Sequence, residues 1–201
     1  MTEAKDVLQR AIEFHGHKCP AMPLGLRAAE TAMNRLGVER TGAKDLLALV
    51  ELGEDHCAHC YADGIQVLTG CTFGKGNIRQ LGYGKFGLTL VDRKTGRAVR
   101  VVPRAEVQLE TQKTDFFQNY RMKGVPPTEV PEEVVQPLID KVMAAPAEAL
   151  FRTGEVQQYR EEKKPESFRN FVCEECGELV VEDYGRLKEG KKVCIPCAAK
   201  G

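Results

Sequence analysis

The sequence has no excess of either charge and no long apolar run. Its 201 residues include 29 lysines and arginines against 29 aspartates and glutamates, so the whole molecule has no net field that would attract nucleic acid or an anionic membrane. No stretch approaches the roughly 18 consecutive apolar residues of a membrane-spanning helix. The first ten residues carry charges where a secretory signal peptide needs an apolar run. We therefore expect a cytoplasmic protein with no membrane partner.

Cysteine and histidine, by contrast, are concentrated in two groups. The first group lies within the first 71 residues and holds all four histidines: His15, His17, Cys19, His56, Cys57, His59, Cys60 and Cys71. The second group lies near the end of the chain: Cys173, Cys176, Cys194 and Cys197. In a reducing compartment, such residues are metal ligands or redox groups more often than structural disulfides. The sequence therefore predicts two sites of different character.

The second group has the spacing of a zinc ribbon. Seventeen residues separate its two Cys-x2-Cys pairs, which predicts one structural Zn²⁺ held by four thiolates. About 36 residues bury too little apolar surface to fold without that metal. Residues 166–201 contain six lysines and arginines against seven aspartates and glutamates. Because phosphate contacts dominate affinity for nucleic acid, we expect this module to contact a protein partner or build a dimer.

The order of the predicted elements indicates an α+β core over residues 1–165, followed by the ribbon over residues 166–201. Turn residues between two alternating segments predict a β-hairpin, and proline or glycine marks several helix ends. We expect a mixed or antiparallel sheet with flanking helices. The predicted helices cover residues 3–14, the segment up to residue 36, and residues 56–69, 114–123, 131–144 and 146–152; the strands cover 46–52, 84–91 and 97–102. The charged segment 160–166 is the predicted linker.

Three potential ligands alternate along a segment that follows the first helix. His15, His17 and Cys19 are two residues apart, and Gly16 lets the backbone bend and bring neighbouring side chains together. If the next helix begins at Pro20, its dipole lowers the pKa of the Cys19 thiol and favours the thiolate. If the helix begins at Pro23, that effect is weaker. The segment is therefore a candidate for metal binding or for nucleophilic chemistry.

The other potential ligands of the first group belong to a predicted helix. His56, Cys60 and Asp63 would share one stripe of it, with Cys60 as a ligand and Asp63 as the acceptor that orients a ligand histidine. Cys57 and Cys60 also form a Cys-x2-Cys pair, so a redox couple is an alternative, although no βαβ pattern leads into it. A mixed nitrogen and sulfur set suits zinc best, with iron, nickel and copper as alternatives. Fewer than four protein ligands would leave an open coordination position.

A glycine-rich loop over residues 70–77 follows this helix. It lacks the spacing of a phosphate-binding P-loop, although its glycines allow backbone amides to surround an anion or a carbonyl. Lys75 is then a candidate contact for an anionic substrate. A tight structural loop is the alternative interpretation.

Several of these motifs together resemble the FmdE family, which takes its name from formylmethanofuran dehydrogenase. They are Phe14-His-Gly-His-Lys-Cys-Pro20, Gly25 and Arg27, Cys60-x2-Asp63-x2-Gln66, Thr69-Gly-Cys-Thr-x-Gly-Lys-Gly-Asn77, and Gly84-Lys85. The resemblance covers roughly residues 10–110, and the ribbon is similar to that of longer members. Here Ala21 follows the Cys-Pro pair, where the family usually has glycine.

The resemblance implies an α+β core that forms an intimate homodimer, a metal-binding cleft and an anaerobic or methanogenic setting. It places the cleft at His17, Cys19 and Cys60, with His15, Asp63 and Cys71 nearby. Candidate catalytic residues are Cys19, Asp63 and Lys75, and Lys75 or Lys85 would hold an anionic group.

The leading hypothesis is a homodimeric metalloprotein that binds Zn²⁺ or another transition metal in its core. It would act in, or as an accessory to, one-carbon or molybdenum/tungsten redox metabolism. The alternative is a metal-sensing or regulatory module without catalysis, with a ribbon that contacts a polymerase or another protein. A redox protein that uses Cys57 and Cys60 is the third hypothesis.

Overall fold

The computed structural model describes residues 2–54, 57–162 and 166–200, with side chains from residue 6 onward. Contacts divide the chain into two units, residues 1–160 and residues 161–201. Nothing in the described helices is long and apolar enough to cross a membrane.

The first unit contains six helices and six strands within its described residues. The helices are α1 (Thr2–His15), α2 (Ala21–Leu36), α3 (Cys60–Thr69), α4 (Ala105–Gln112), α5 (Glu132–Ala144) and α6 (Ala147–Leu150). The strands are β1 (Leu46–Val50), β2 (Ile78–Gln80), β3 (Leu88–Asp92), β4 (Arg97–Pro103), β5 (Phe151–Thr153) and β6 (Gln157–Gln158). Short helical turns cover Phe73–Lys75, Phe116–Tyr120, Arg121–Lys123 and Pro127–Glu129.

These strands form one mixed sheet in the order β2-β1-β3-β4-β5, with β6 paired to β4. Only β1 and β2 are parallel; the other pairs are antiparallel. The hairpin of β3 and β4 and the buried strand β1 form where the sequence predicts them. The predicted α+β core with a mixed sheet, followed by a four-cysteine module, is therefore confirmed.

The alternation of side chains along β1 divides the core between two faces of the sheet. On one face, Leu46, Ala48 and Val50 join the main core cluster, to which α2 and α3 also contribute. On the other face, Leu47 and Leu49 pack in a smaller cluster with residues of β3 and β4. Because both faces of β1 are covered, all five of its residues are buried.

An ion pair between a buried carboxylate and a partly exposed guanidinium lies at the end of β1. The Arg100 Nε and Nη2 atoms donate to the two carboxylate oxygens of Glu51 at 2.7 and 2.8 Å, and Glu51 is only 5% exposed. The carboxylate lies over Gly87, where a Cβ atom would come within 2.4 Å of it. Its hydrogen bonds to Arg100 hold the pKa of Glu51 below its usual range. The native state therefore gains stability from ionised Glu51 at neutral pH, and loses that gain as the pH falls through the lowered pKa.

We expect Arg100→Met to lower the free energy of unfolding by about 2 kcal/mol at neutral pH, because it leaves a buried carboxylate unpaired. Partial exposure of the guanidinium keeps the loss below that of a fully buried pair. The gap to the wild type should narrow in acid, where Glu51 becomes protonated in both proteins. Urea unfolding at neutral and acidic pH measures it. Lys141→Met is the control, because it removes an exposed ion pair with Glu110 and should change the free energy of unfolding little. If the difference between Arg100→Met and the wild type did not change with pH, the stabilising role of ionised Glu51 would be contradicted.

The second unit consists of two short hairpins and a terminal turn of helix. Strands β7 (Asn170–Val172) and β8 (Leu179–Val181) form the first hairpin, and β9 (Gly185–Lys188) and β10 (Lys191–Cys194) form the second. Helix α7 (Ile195–Ala198) follows β10. The small core holds Val193 and three of the four cysteines, Cys173, Cys194 and Cys197. With so little apolar surface buried, this unit depends on its cysteines for stability.

Candidate metal centre

Two glycines set the distance between α2 and α3. A Cβ atom on Gly25 would lie 1.9 Å from the carbonyl oxygen of Tyr61, and one on Gly64 would lie 2.2 Å from that of Met22. The two helix backbones are therefore in direct contact, which no residue with a side chain at these positions would allow. Cys60, the first residue of α3, packs against the buried cluster that contains Cys19. The close crossing thus brings together two thiols that are 41 positions apart in the sequence.

The segment that leads into α2 folds back on itself after His15, the last residue of α1. Gly16 has a φ of 91°, a conformation that glycine adopts without steric cost and that ends helices. Its amide donates to the Ile12 carbonyl at 2.7 Å. The bend places the rings of His15 and His17 4.2 Å apart between centroids. One potential ligand atom from each of His15, His17 and Cys19 lies within 4.8 Å of the others.

Asp63 orients His15. The distance from His15 Nδ1 to Asp63 Oδ2 is 2.8 Å, and because a carboxylate only accepts hydrogen bonds, Nδ1 carries the proton. The other ring nitrogen, Nε2, is buried and has no hydrogen-bond partner. A carboxylate that fixes the tautomer of a histidine is the usual companion of a histidine ligand. Asp63 therefore has the orienting position that the sequence predicts for it.

The donor set fits a transition metal. An unpartnered buried nitrogen costs about 1–3 kcal/mol, and a metal ion at His15 Nε2 would remove that cost. Ligand atoms that share a tetrahedral zinc ion lie roughly 3–4 Å apart, given its bond lengths. The 4.8 Å group of His15, His17 and Cys19 therefore needs only small rotations to close on an ion. Two imidazoles and one thiolate suit zinc best.

Cys19 carries the negative charge of the site. It is only 3% exposed, yet its pKa is lowered to about 5 by a hydrogen bond from Cys60, and further by His15 and by the Met22 amide. The pKa of Cys60 is raised, chiefly by the thiolate of Cys19 and by burial. Helix α2 begins at Ala21, with Pro20 as its N-cap, so the Met22 amide belongs to the first turn that faces Cys19.

The pKa values of the two histidines are shifted in opposite directions. The pKa of His15 is raised, first by its contact with the Cys19 sulfur and then, against the effect of burial, by Asp63. The pKa of His17 is lowered by burial and by the charge of His15. The neutral imidazole is the form that binds a metal, so His17 is held in the state that a ligand requires.

Not every predicted site residue joins this group. Cys71 is fully buried in the main core cluster, and burial raises its pKa, so it packs as a neutral, apolar side chain. Lys75 donates to the Gly42 carbonyl at 3.4 Å. The Lys85 amide donates to the Glu51 carbonyl at 2.9 Å. None of these contacts belongs to the group of His15, His17 and Cys19, and a role for these three residues at the site stays a prediction.

His59 and Cys57 also stand apart from the three grouped ligands. His59 Nε2 lies 3.0 Å from the Gly53 carbonyl oxygen, which anchors the N-terminal end of α3. Cys57 is exposed in the turn before that helix. His56 lies outside the described residues. Cys60, which the redox hypothesis pairs with Cys57, packs against the buried cluster that contains Cys19.

Two motif residues have roles that the sequence pattern did not assign. Gln66 Nε2 donates to Asp63 Oδ1 at 3.1 Å, and the signal for this contact was the spacing of three residues on one helix. Arg27 donates to the carbonyls of Met143 and Ala145 at 2.6 and 2.9 Å. It therefore ties α2 to the end of α5 and is structural.

The four cysteines of the second unit form a separate group. Their sulfurs lie within 4.8 Å of one another, and Cys173 accepts the Cys194 amide at 3.3 Å. Backbone amides, above all that of Cys176, lower the pKa of Cys173 to about 6. Four converging thiols on two Cys-x2-Cys turns have the donor set of a structural zinc site.

Comparisons with known proteins agree with both parts of this description. The sequence model described as "FmdE, Molybdenum formylmethanofuran dehydrogenase operon" matches residues 14–152. The chain belongs to the FmdE family. The model described as "Prokaryotic dksA/traR C4-type zinc finger" matches residues 166–200, so this FmdE-family chain carries a C4 zinc finger after its core.

Two individual proteins are similar to it. A protein of Archaeoglobus fulgidus named "Probable S-adenosyl-L-methionine-binding protein" is 36% identical over 203 residues, which cover 96% of this chain and 52% of that protein. The chain thus spans about half the length of this curated relative. The crystal structure of a tungsten formylmethanofuran dehydrogenase FmdE-like protein from Syntrophus aciditrophicus superposes with a TM-score of 0.66. At 22% identity, over 98% of this chain and 92% of the other, that likeness establishes a shared fold.

Proposed function

We propose that this FmdE-family chain binds Zn²⁺ or a similar transition metal in its core through His15, His17 and Cys19. The observation that carries the proposal is that one ligand atom from each of these residues lies within 4.8 Å of the others, while Nε2 of His15 is buried without a hydrogen-bond partner. The sequence predicted His17, Cys19 and Cys60 as ligands, with His15 nearby. The geometry favours His15 for the third ligand and leaves Cys60 beside Cys19, as the candidate for a fourth.

Three firm ligands leave one coordination position open, which is typical of reactive rather than structural zinc sites. An ion held there with an open position would polarise a carbonyl or activate water. Around that position, Cys19 supplies charge, His17 a neutral ring and Asp63 the fixed orientation of His15. We propose that this site serves one-carbon or molybdenum/tungsten redox metabolism in the cytoplasm, as the description of the family supports. Homodimer formation and a protein partner for the ribbon stay predictions.

S-Adenosyl-L-methionine is a second candidate ligand, because the similar protein of Archaeoglobus fulgidus is named for it and matches 96% of this chain. Its amino and carboxylate groups are ordinary metal ligands, so the core ion would offer it an anchor. Equilibrium dialysis with the metal-loaded and metal-free protein tests this. Binding that requires the core metal supports the candidate, and no binding in either state removes it.

Metal content tests the proposed site. We expect about two metal ions per chain in the full-length protein and about one in Cys19→Ser or His15→Ala, since the ribbon keeps its own ion. Cys57→Ser, an exposed cysteine outside both groups, is the matched control and should keep two. Elemental analysis after dialysis gives the count. A wild type with a single ion, or a Cys19→Ser protein that still holds two, would exclude the core site.

A further inference from the structure

Within the glycine-rich loop over residues 70–77, residues 72–76 are connected to the candidate metal ligand His15 by one continuous chain of hydrogen bonds. The Phe73 amide donates to Gln66 Oε1 at 3.3 Å, and Gln66 Nε2 donates to Asp63 Oδ1 at 3.1 Å. Asp63 Oδ2 in turn accepts from His15 Nδ1 at 2.8 Å. We propose that Gln66 is a positioning residue that couples this loop to the metal ligand. The proposal rests on the proposed metal site and adds a role for the loop.

Each bond in this chain has only one allowed direction. A backbone amide can only donate, so Phe73 fixes the side chain of Gln66 with its oxygen towards the loop and its NH₂ group towards Asp63. The carboxylate accepts from both neighbours, so His15 must carry its proton on Nδ1. Nε2 is then left with a lone pair on the buried side, which is where a metal would bind. The loop backbone therefore helps to position Asp63, the carboxylate that fixes this tautomer.

The loop has the exposure expected of a segment that contacts a ligand. The Phe73 side chain is 89% exposed, although aromatic side chains are usually buried. Gly76 has a φ of 63°, and the Thr72 amide is held by Asn77 Oδ1 at 2.9 Å. The base of the loop is thus anchored through Asn77, which is buried and also donates to the Leu46 carbonyl. At the tip, Gln66 is the side chain that holds the Phe73 amide.

Coupling of this kind is reciprocal. If metal binding at His15 orders Asp63 and Gln66, it also orders the Phe73 amide. If bound metal then changes the affinity of a compound for the loop by some factor, that compound must change the affinity for the metal by the same factor. A residue that only stabilised the fold would show no such link. The exposed Phe73 ring and the cation of Lys75 are then the first contacts for a compound that approaches the loop.

Gln66→Met and Gln66→Glu distinguish the two hydrogen bonds of Gln66, the one from the Phe73 amide and the one to Asp63. Methionine has a similar length and removes both hydrogen bonds. Glutamate keeps an acceptor for the Phe73 amide but loses the donor to Asp63 and places two carboxylates side by side. Gln9→Met is the matched control, because Gln9 Nε2 also donates to a carboxylate on its own helix, Glu13, at 3.0 Å. Glu13 is exposed and lies outside the metal group.

The measurements are Co²⁺ titration of the full-length protein with its ribbon loaded with zinc, and NMR water exchange of the Phe73 amide with and without metal. We expect Gln66→Met to weaken Co²⁺ binding about three- to tenfold, less than the 10- to 100-fold typical of direct partners of a ligand. It should also abolish the slowing of Phe73 exchange that metal produces in the wild type. Gln66→Glu should weaken binding while the Phe73 amide stays protected, and Gln9→Met should change neither quantity.

The outcomes distinguish this inference from the proposed function. A wild type that binds no Co²⁺ beyond the ribbon contradicts the metal site itself. The coupling alone is overturned if the wild type binds Co²⁺ in its core but two further results follow. These are a Gln66→Met protein of equal Co²⁺ affinity, and a Phe73 amide in the wild type whose exchange rate does not respond to metal. Should Gln66→Met fail to fold, unchanged Co²⁺ affinity in Gln66→Glu overturns it.

Discussion

Gly25→Ala is expected to remove the core metal and to destabilise the first unit, while the ribbon keeps its ion. The new Cβ atom would lie 1.9 Å from the Tyr61 carbonyl oxygen, so α2 and α3 must move apart by more than 1 Å to reach ordinary van der Waals contact. Neither atom belongs to a flexible side chain, so the cost falls on the packing of two helices. We expect the free energy of unfolding to fall by about 3 kcal/mol or more.

The loss of metal follows from the same displacement. Cys60 packs against the Cys19 cluster only because the helix backbones touch, and Asp63 reaches His15 from the same helix. Gly64→Ala should behave alike, since its Cβ would meet the Met22 carbonyl oxygen at 2.2 Å. Gly42→Ala is the control, because nothing lies within 4 Å of its Cβ position. Urea unfolding and metal counts measure both effects; a stable Gly25→Ala protein with two ions would show that the close crossing does not build the site.

Cys173→Ser is expected to unfold the second unit and leave the first intact. This unit buries little beyond Val193 and three of its cysteines, and structural zinc in small modules supplies about 10–16 kcal/mol of apparent binding free energy at neutral pH. A serine hydroxyl replaces the Cys173 sulfur, whose pKa is lowered to about 6 by backbone amides. We expect the dispersed NMR amide signals of residues 166–200 to collapse while those of the first unit persist.

Chelation provides the complementary test of the ribbon. A strong chelator should unfold the second unit in the wild type, and added Zn²⁺ should restore it. Cys57→Ser should respond like the wild type, because Cys57 lies outside the four-cysteine group. A Cys173→Ser protein with an intact second unit, or a wild-type protein whose second unit stays folded in the chelator, would contradict the dependence on metal.

The ribbon was predictable from sequence because all its information is local. Two Cys-x2-Cys pairs with a fixed separation specify four donors. The chain between them needs only to reverse direction so that the second pair comes to lie beside the first. The hairpin of β3 and β4 was predictable for the same reason, since alternation and turn residues mark it. Elements with weaker local signals were missed. Strand β2 has three residues in a glycine-rich segment. Strand β5 begins at Phe151, inside the helix predicted over residues 146–152, because that helix stops at Leu150.

The core site was predictable in its residues but less so in its arrangement. Alternate spacing and the family motifs single out His15, His17 and Cys19, and helix periodicity gives Asp63 its orienting role. The preference for His15 over Cys60 depends on the turn at Gly16 and on the approach of α3, which is set by Gly25 and Gly64. Such contacts join residues about 40 positions apart, and no local pattern encodes their geometry. The packing of Cys71 in the core likewise depends on how the whole sheet is covered.

Anomalous X-ray scattering from crystals of the intact protein tests the central claim most directly. We predict two metal positions per chain. One should lie among Cys173, Cys176, Cys194 and Cys197, and the other within roughly 2.0–2.3 Å of nitrogen atoms of His15 and His17 and the Cys19 sulfur. Data on both sides of an absorption edge would identify each element. A single peak in the ribbon, with His15 Nε2 hydrogen-bonded to a water molecule, would contradict the account.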